Sequence, residues 1–378
     1  MKTTIQFFFL GLVLSVSVNA QSIIQNRFER NTTSLNGKWH YLIDLYETGY
    51  MSYKGIPKDE MENPPTPDAF FLNYKPADKT ERIEYSFDQS PSITVPGDWN
   101  TQAEKLFYFE GSVWYKKSFD YKKSGPENRV FINFGAANYR TDVYINTKKV
   151  GKHEGGFTPF SFEFTHLLKP KDNFIIVRVK NERKKENIPA LNADWWNYGG
   201  ITRDIDIIET PPVFVEDYFI QLKKDAPGII KGYVQLNGDK KSNIKVGLSI
   251  PELNLDETFS TDKNGKAEFE IEAKGISYWS PENPKLYDVI VKNGEEKITD
   301  QIGFRTLATR GQDILLNGKP VFLRGISMHE ENPIRGNRNF CREDAIMMLT
   351  WAKELGCNFV RLAHYPHNEY MSRVADSL

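Results

Sequence analysis

The chain has 378 residues, of which 39% are hydrophobic and 26% are charged, and its formal net charge is −1. This length allows two or three domains that each bury a core. The near-neutral charge excludes a strong basic field of the kind that attracts nucleic acid or anionic membranes, so we expect neither as a partner. No apolar run beyond the N-terminus approaches the length of a membrane span.

The N-terminus has the pattern of a processing signal. Lys2 precedes an apolar run at residues 7–16 that is too short to span a bilayer, and small residues up to Ala20 form a cleavage site. We therefore predict a signal peptide at residues 1–20. The only cysteines, Cys341 and Cys357, flank a predicted helix and are too far apart for a simple bridge, so we expect two buried, unpaired thiols. An exported protein without disulfides indicates a bacterial periplasmic or secreted location.

Residues 21–210 have an all-β pattern. Alternating apolar and polar residues recur in short stretches with turn residues between them and no amphipathic helix; they lie at residues 111–121, 128–138, 140–153 and 173–181. This arrangement favours a jelly roll or sandwich. A proline-rich, charged segment at residues 55–69 lacks the alternation and is predicted to be a surface insertion.

The Pro211-Pro212 step marks a second boundary, after which alternating stretches continue to about residue 307. Six strands are clear and about seven fit the length, which indicates an immunoglobulin-like β-sandwich at residues 211–307.

Residues 308–378 change pattern to that of an α/β barrel. Two β-branched runs, at residues 321–333 and 358–369, each end in His, Arg and Glu, and a helix-like run at residues 342–356 separates them. These are expected to be the first two strand–helix units of a TIM (β/α)8 barrel, with polar groups at the strand ends. The other units are not in this sequence, and the last residues stop within a helical run, so we expect a truncated barrel.

Eight motifs, in order along most of the mature chain, resemble glycoside hydrolase family 2, which holds β-galactosidases, β-glucuronidases and β-mannosidases. They are VPGDWN, EGSVWYKKSF, VYINTKKVGKHEGGFTPFSFE, WWNYGGITRDIDII, WSPENPKLY, IGFRT, LNGKPVFLRGISMHEE and VRLAHYPH. The resemblance implies a multidomain, mainly β architecture: a jelly-roll sugar-binding domain, an immunoglobulin-like β-sandwich, then an incomplete TIM barrel.

The resemblance also implies a retaining exo-β-glycosidase, which needs two carboxylic acids about 5–5.5 Å apart. In the family these are two glutamates on later barrel strands, and nothing in this chain matches either motif. The nearest carboxylates are Glu330, Glu331 and Glu369, which lie in the barrel-opening motifs instead. We therefore assign no catalytic residue and expect this chain alone to be inactive.

Four residues match substrate-positioning groups of the family. Asp194 would accept hydrogen bonds from sugar hydroxyls, although a loop aspartate that caps a turn is the alternative. His329 and His364 would bind hydroxyls near the reacting carbon, since an imidazole donates at one nitrogen and accepts at the other. Arg361 would keep the catalytic glutamates ionised, or would form an ion pair that matters only for folding.

Two questions about aromatic residues stay open in the sequence. Trp195 and Trp196 could wall the pocket beside Asp194 or could pack into a core. The aromatic content of 13% fits β-rich cores, but it also fits surfaces that stack on the C–H faces of pyranoses.

No cofactor or metal is expected. His364 and His367 are separated by a proline and so do not form a zinc-binding pair on one helix face. The predicted partner is a β-linked oligosaccharide or glycoside, and homo-oligomerisation is left open. Within the family the sequence favours β-glucuronidase, with β-galactosidase as the alternative.

A reading from a different class is a non-catalytic carbohydrate-binding protein. Two strand–helix units cannot close a barrel, so their apolar faces would stay exposed in such a protein. An in-frame continuation beyond Leu378 with two further glutamates would favour the enzyme, and a genuine stop codon would favour the binder.

Overall fold

The computed structural model describes residues 23–58, 61, 80 and 86–378. The predicted signal peptide and most of the predicted insertion at residues 55–69 lie outside the described residues. Within the described part, three units follow one another along the chain: two β-sandwiches and the opening of an α/β barrel. This confirms the predicted fold class.

The first unit is a sandwich of two antiparallel sheets. Its strands are β1 (Asn31–Ser34), β2 (Gly37–Asp44), β3 (Ser92–Val95), β4 (Ser112–Phe119), β5 (Arg129–Phe134), β6 (Ala137–Asn138), β7 (Arg140–Ile145), β8 (Lys148–Glu154), β9 (Phe160–Glu163), β10 (Asn173–Lys180), β11 (Gly200–Ile201) and β12 (Ile205–Thr210). One sheet has the order β1-β12-β5-β9 and the other β3-β2-β4-β10-β7-β8. The short strands β6 and β11 pair with each other.

The larger sheet is covered on both faces, which explains why β10 is buried along almost its whole length. Its inner face packs on the smaller sheet around Trp39, Trp99 and Tyr115. Its outer face carries a second cluster in which the loop residue Tyr50 joins Trp114 of β4. A strand covered on both sides reads as a continuous apolar run rather than as an alternation.

In the described residues, the second unit is a β-sandwich of seven strands. Its strands are β13 (Phe214–Lys223), β14 (Ala226–Asn237), β15 (Lys245–Ile250), β16 (Leu255–Ser260), β17 (Lys266–Glu272), β18 (Tyr287–Asn293) and β19 (Glu296–Ile302). The sheets have the orders β13-β14-β17 and β16-β15-β18-β19. The strand without a clear sequence signal is β16, an edge strand whose side chains are mostly exposed and therefore hardly alternate.

The third unit opens the barrel. Its elements are β20 (Leu307–Arg310), β21 (Asp313–Leu316), β22 (Lys319–Pro320), β23 (Gly325–Met328), β24 (Glu331–Asn332), β25 (Asn337–Arg338), α1 (Arg342–Glu354), β26 (Phe359–Leu362) and α2 (Glu369–Ser377). Strands β23 and β26 pair in parallel, as the two predicted strand–helix units require. Neither helix, nor any other in the described residues, is long and apolar enough to cross a bilayer.

The predicted helix at residues 342–356 is α1, which ends two residues earlier. Cys341 and Asp344 form a capping box at its N-terminus, and Gly356, at φ 79°, lies in the left-handed conformation that follows its last turn. Cys341 and Cys357 are both unpaired, as predicted, but each is only half-buried. The prediction that they are buried was wrong because both lie at helix ends rather than on the packed face.

The N-terminal segment ties the three units together. Arg27 forms an ion pair with Asp206 of the first unit at 2.6 Å. Asn26 donates to the Tyr218 hydroxyl of the second unit at 3.0 Å and accepts from Arg373 of α2 at 3.2 Å. The units are therefore held in a defined mutual orientation, which places residues of the first unit beside the barrel strands.

Candidate substrate-binding site

Side chains from two units meet where β23 and β26 end. These strands run in register, with Met328 beside Leu362, so the residues that follow them emerge at one edge. There the rings of His329 and His364 lie 5.3 Å apart between centroids. Trp195 of the first unit lies 5.9 Å from the His329 ring and 5.6 Å from the His364 ring. We call Asp194, Trp195, His329 and His364 the rim.

Asp194 is exposed and makes no hydrogen bond or ion pair with any described residue, so it does not cap a turn. It directly precedes Trp195, which brings its backbone to the two imidazoles. Its carboxylate is thus available to a ligand. The binding roles of Asp194, His329 and His364 stay predictions, but the structure brings the two histidine rings together beside Trp195, the residue that follows Asp194.

Arg361 lies within β26, three residues before His364 and opposite Ser327 of β23. Its guanidinium is exposed, its Nη1 is 3.5 Å from the Ser327 hydroxyl, and it has no carboxylate partner among the described residues. The alternative role for Arg361 was an ion pair that matters only for folding, and Arg361 forms no such pair with the described part of the chain. Its role toward catalytic glutamates stays a prediction.

The two adjacent tryptophans have separate surroundings, and neither is a core residue. Trp195 is half-buried against the two histidines and Tyr365. Its indole N–H is buried without a hydrogen-bond partner in the described residues. Trp196 is 39% exposed and packs on Phe107 instead. Trp195 therefore walls the rim, and Trp196 faces a different surface.

Sequence reasoning did not find the buried charge cluster directly behind the rim. Glu330 is fully buried, and its carboxylate accepts from Arg203 of the first unit at 2.9 Å and from Arg338 at 2.8 Å. Arg203 also donates to the carbonyl of Pro366 at 2.8 Å. We call Arg203, Glu330 and Arg338 the junction. The available signal was Arg203 itself, a charged residue eight positions after Trp195 in the same motif.

Electrostatics indicate that the Glu330 side chain stays ionised. Burial alone would raise the pKa of Glu330, but Arg203 and Arg338 outweigh it and hold that pKa below its ordinary value. Two arginines and the backbone N–H of Asn368 occupy its oxygens, so it cannot attack a sugar. Glu369 is bound to Arg373 at 2.8 Å on α2. These carboxylates of the opening motifs therefore position other groups.

Tyr365 separates the rim from the junction. Its ring stacks on Phe157 of the first unit with centroids 3.9 Å apart, and it also approaches Trp195 and His329. Its hydroxyl accepts from the Glu330 backbone N–H at 3.2 Å. Burial raises the pKa of Tyr365 to about 12, so it remains a neutral phenol at physiological pH.

The candidate metal ligands do not converge. The His367 ring is buried, with its Nε2 3.0 Å from the Ala363 carbonyl, whereas the His364 ring is exposed. Burial lowers the pKa of His367. Across the described ranges, no group of three or more His, Cys, Asp or Glu side chains is placed to hold a metal ion.

Comparison with known proteins identifies relatives of similar sequence. A putative beta-glucuronidase from Formosa agariphila is 30% identical over 309 residues, which are 76% of this chain and 36% of that protein. A beta-galactosidase from Clostridium acetobutylicum is 27% identical over 91% of this chain and 39% of its own length. The chain thus spans well under half the length of these two relatives.

Solved structures share the arrangement of the three units. The Ruminococcus gnavus beta-glucuronidase superposes with a TM-score of 0.74 at 25% identity, covering 94% of this chain and 58% of that one. The Bifidobacterium dentium beta-glucuronidase, solved with coumarin-3-O-glucuronide, has a TM-score of 0.75 at 22% identity and covers 94% of this chain and 61% of that one. The second likeness supports the fold alone.

Family models match residues 61–378 with two one-residue gaps. The sugar binding domain of glycosyl hydrolases family 2 matches residues 61–211, a second domain of that family matches residues 213–305, and its TIM barrel domain matches residues 307–378. The three matches follow in the order in which the units are folded, and the chain therefore belongs to glycosyl hydrolases family 2.

Proposed function

We propose that the protein is a retaining exo-β-glycosidase and that this chain supplies the part that holds the sugar. The rim is the observation that carries the proposal. It brings two imidazoles and an indole from two units to the carboxyl ends of parallel barrel strands, the edge at which TIM-barrel enzymes place their sites, and Asp194 directly precedes the indole in the chain.

Each rim group fits a hydroxyl-rich ring. The Asp194 carboxylate is an acceptor for two hydroxyls, and each imidazole can both donate and accept without bringing a full charge. The half-buried Trp195 ring offers an apolar wall. Retaining hydrolysis needs two further carboxylic acids about 5–5.5 Å apart. The proposal places them on other barrel strands, since Glu330 and Glu369 are bound to arginines.

We propose β-glucuronides as the first substrate class. A 30% identical relative is a putative beta-glucuronidase, and the Ruminococcus gnavus structure that matches at 25% identity is a beta-glucuronidase. The second candidate is a β-galactoside, because beta-galactosidases from Clostridium acetobutylicum and Streptococcus thermophilus align over 91% of this chain, a larger share than the 76% for the Formosa protein.

A panel of nitrophenyl glycosides tests the proposal on protein expressed from the complete open reading frame. We expect release of nitrophenol from the β-glucuronide above all other sugars; release from the β-galactoside instead would select the second candidate. The sugar released should keep its anomeric configuration when followed by NMR. An inverted product, or no release from any β-glycoside, would refute the proposed reaction.

A rim variant connects that activity to this site. Asp194→Ala should lower kcat/KM by roughly a hundredfold, the scale of losing one or two charge-assisted hydrogen bonds in the transition state. Asp239→Ala, at an exposed aspartate in a turn of the second unit, is the matched control. An unchanged kcat/KM in folded Asp194→Ala would remove this residue from the site.

We also propose export through cleavage after Ala20. The support is the charge and apolar pattern of residues 1–20. N-terminal sequencing of protein from a periplasmic extract should begin at Gln21. An intact Met1 on protein that stays in the cytoplasm would contradict export.

A further inference from the structure

One aromatic side chain of the first unit, Phe157, packs into the opening of the barrel. It lies in the loop between β8 and β9 and is buried, at 7% exposed. Its ring stacks on Tyr365 with centroids 3.9 Å apart and planes inclined by 16°. The guanidinium of Arg338 lies over the same ring at 4.5 Å. Both neighbours belong to the third unit, so Phe157 packs its ring across the boundary between two units.

Tyr365 connects this contact to the rim. Its ring centroid lies 5.6 Å from that of Trp195 and 6.2 Å from that of His329. Of the ring contacts of Tyr365 in the described residues, the one with Phe157 is the shortest and the most nearly parallel. Aromatic pairs have preferred separations and orientations, so the plane of the Tyr365 ring constrains where the rings of the rim can lie.

The loop that carries Phe157 is held against the loop that carries Trp195. Asn138 is 1% exposed and donates to the side-chain oxygen of Asn197, two residues after Trp195, at 3.0 Å. Gly156 lies directly against the same asparagine, because a Cβ at this glycine would be 2.3 Å from the Asn138 side-chain oxygen. One buried side chain therefore contacts both loops and links the position of Phe157 to that of Trp195.

The backbone of Phe157 is bound to the junction. Its carbonyl accepts from Nη1 of Arg203 at 2.8 Å, and Arg203 and Arg338 both bind the Glu330 carboxylate. One residue thus contacts both arginines, Arg203 through its carbonyl and Arg338 through its ring. The ion pairs hold the two units together, whereas the stacked ring sets the orientation of the aromatic residue that lies against the rim.

We propose that Phe157 is a positioning residue of the rim. Acting through Tyr365, its ring holds Trp195 and His329 in the arrangement that binds the sugar. The first unit then contributes to substrate binding through a buried side chain as well as through the rim itself. The inference rests on the proposed function, because it takes the rim as the place where the sugar is held.

Loss of the ring should reduce activity more than its effect on stability explains. In protein from the complete open reading frame, Phe157→Leu should lower kcat/KM on the preferred nitrophenyl glycoside roughly tenfold, since a small misplacement of binding groups weakens transition-state contacts. Phe164→Leu is the matched control, because Phe164 is 1% exposed and its ring contacts Phe119 within the first unit. It should lower the unfolding midpoint comparably and leave kcat/KM within about twofold. Equal losses of kcat/KM in the two variants would contradict the proposal.

A double-mutant cycle tests whether Phe157 acts through Tyr365. In a Tyr365→Leu background, Phe157→Leu should lower kcat/KM by less than about a further twofold, because the ring that it positions is already absent. A loss as large as in the unsubstituted protein would overturn this route. Phe157→Tyr keeps the stacked ring and should retain most of the kcat/KM, so a loss equal to that of Phe157→Leu would also count against the ring. Should Phe157→Leu not fold, Phe157→Met takes its place, since its flexible side chain fills more of the same space.

Histidine NMR separates this inference from the proposed function. With 13C-labelled histidine, the imidazole signal of His329 is assigned by its loss in His329→Ala. It should shift in Phe157→Leu and stay in place in Phe164→Leu, whether or not a glycoside is hydrolysed. An unshifted signal in folded Phe157→Leu would overturn the positioning role. If the signal shifts and no β-glycoside is hydrolysed by the unsubstituted protein, the proposed function fails and the positioning of the His329 ring by Phe157 stands.

Discussion

His329 and Glu330 are neighbours in the sequence and belong to opposite kinds of environment. The His329 ring faces the partly open rim and makes only ring contacts with the described residues, whereas the Glu330 carboxylate is fully buried and bound by two arginines. At the rim, polar groups are left for a ligand to satisfy. At the junction, the Glu330 carboxylate is bound by two arginines within the protein. The comparison shows how a site can remain open while the segments that carry it are fixed.

The junction fixes the same segments that supply the rim. Arg203 follows Trp195 by eight residues, Glu330 follows His329 directly, and Arg203 reaches the carbonyl of Pro366, two residues after His364. Burying a carboxylate is costly unless the charge is paired and hydrogen-bonded, so this cluster forms only when both units are correctly placed. The junction thereby sets the distances between the rim residues.

Removing the charge of the junction should have the largest effect. Glu330→Gln leaves two arginines buried without a counter-charge, and we expect the free energy of unfolding to fall by about 3–5 kcal/mol. Denaturant unfolding followed by tryptophan fluorescence measures the change. Glu331→Gln is the control, since Glu331 forms no ion pair in the described structure and should change stability by less than about 0.5 kcal/mol. Equal effects of the two variants would contradict the junction.

Removing a rim imidazole should give the reverse pattern. We expect His364→Ala to lower kcat/KM by roughly a hundredfold with little loss of stability, because the ring is exposed and makes no hydrogen bond within the described residues. Activity on the preferred nitrophenyl glycoside and the unfolding midpoint are measured on the same preparation. The exposed His166, replaced in the same way, should change neither. A His364 variant that loses stability and keeps activity would place this residue in the scaffold.

A third prediction uses pH to test how the junction loop is held. Asp344 accepts from both Nη atoms of Arg335 at 2.7 Å and from Asn332 at 2.9 Å, which folds the loop that carries Arg338. Burial would raise the pKa of Asp344, but these hydrogen bonds and those from the backbone outweigh it and lower the pKa to about 2.

The sign of the pH effect follows from that shift. A carboxylate whose pKa is lower in the folded state stabilises the protein fully above its unfolded value near 4, and the contribution disappears as pH falls toward 2. Asp344→Asn should therefore reduce stability by about 2 kcal/mol at pH 7 and by about half as much at pH 3. Urea unfolding at both pH values measures the difference. A deficit that is independent of pH would show that the ionised form of Asp344 is not what stabilises the loop.

The sequence predicted the units well because their periodicities are local properties. It also selected His329 and His364, whose rings the structure brings together, because each lies in a recognisable motif; that they bind a substrate stays a prediction. It could not predict the junction, because the Arg203–Glu330 contact joins residues 127 positions apart and depends on how two units dock. The edge strand β16 was missed for a related reason: its exposed side chains carry no apolar pattern.

The smallest expected effect concerns Tyr365, which lies on the boundary between the two regions. Tyr365→Phe keeps the stacking on Phe157 and the wall behind the rim, but it leaves the buried N–H of Glu330 without its acceptor. We expect a loss of about 1 kcal/mol in unfolding free energy and an unchanged kcat/KM. The Tyr365 hydroxyl is a neutral acceptor that contacts the junction side. A fall in kcat/KM without a change in stability would therefore mean that Tyr365 acts on the ligand and belongs to the rim.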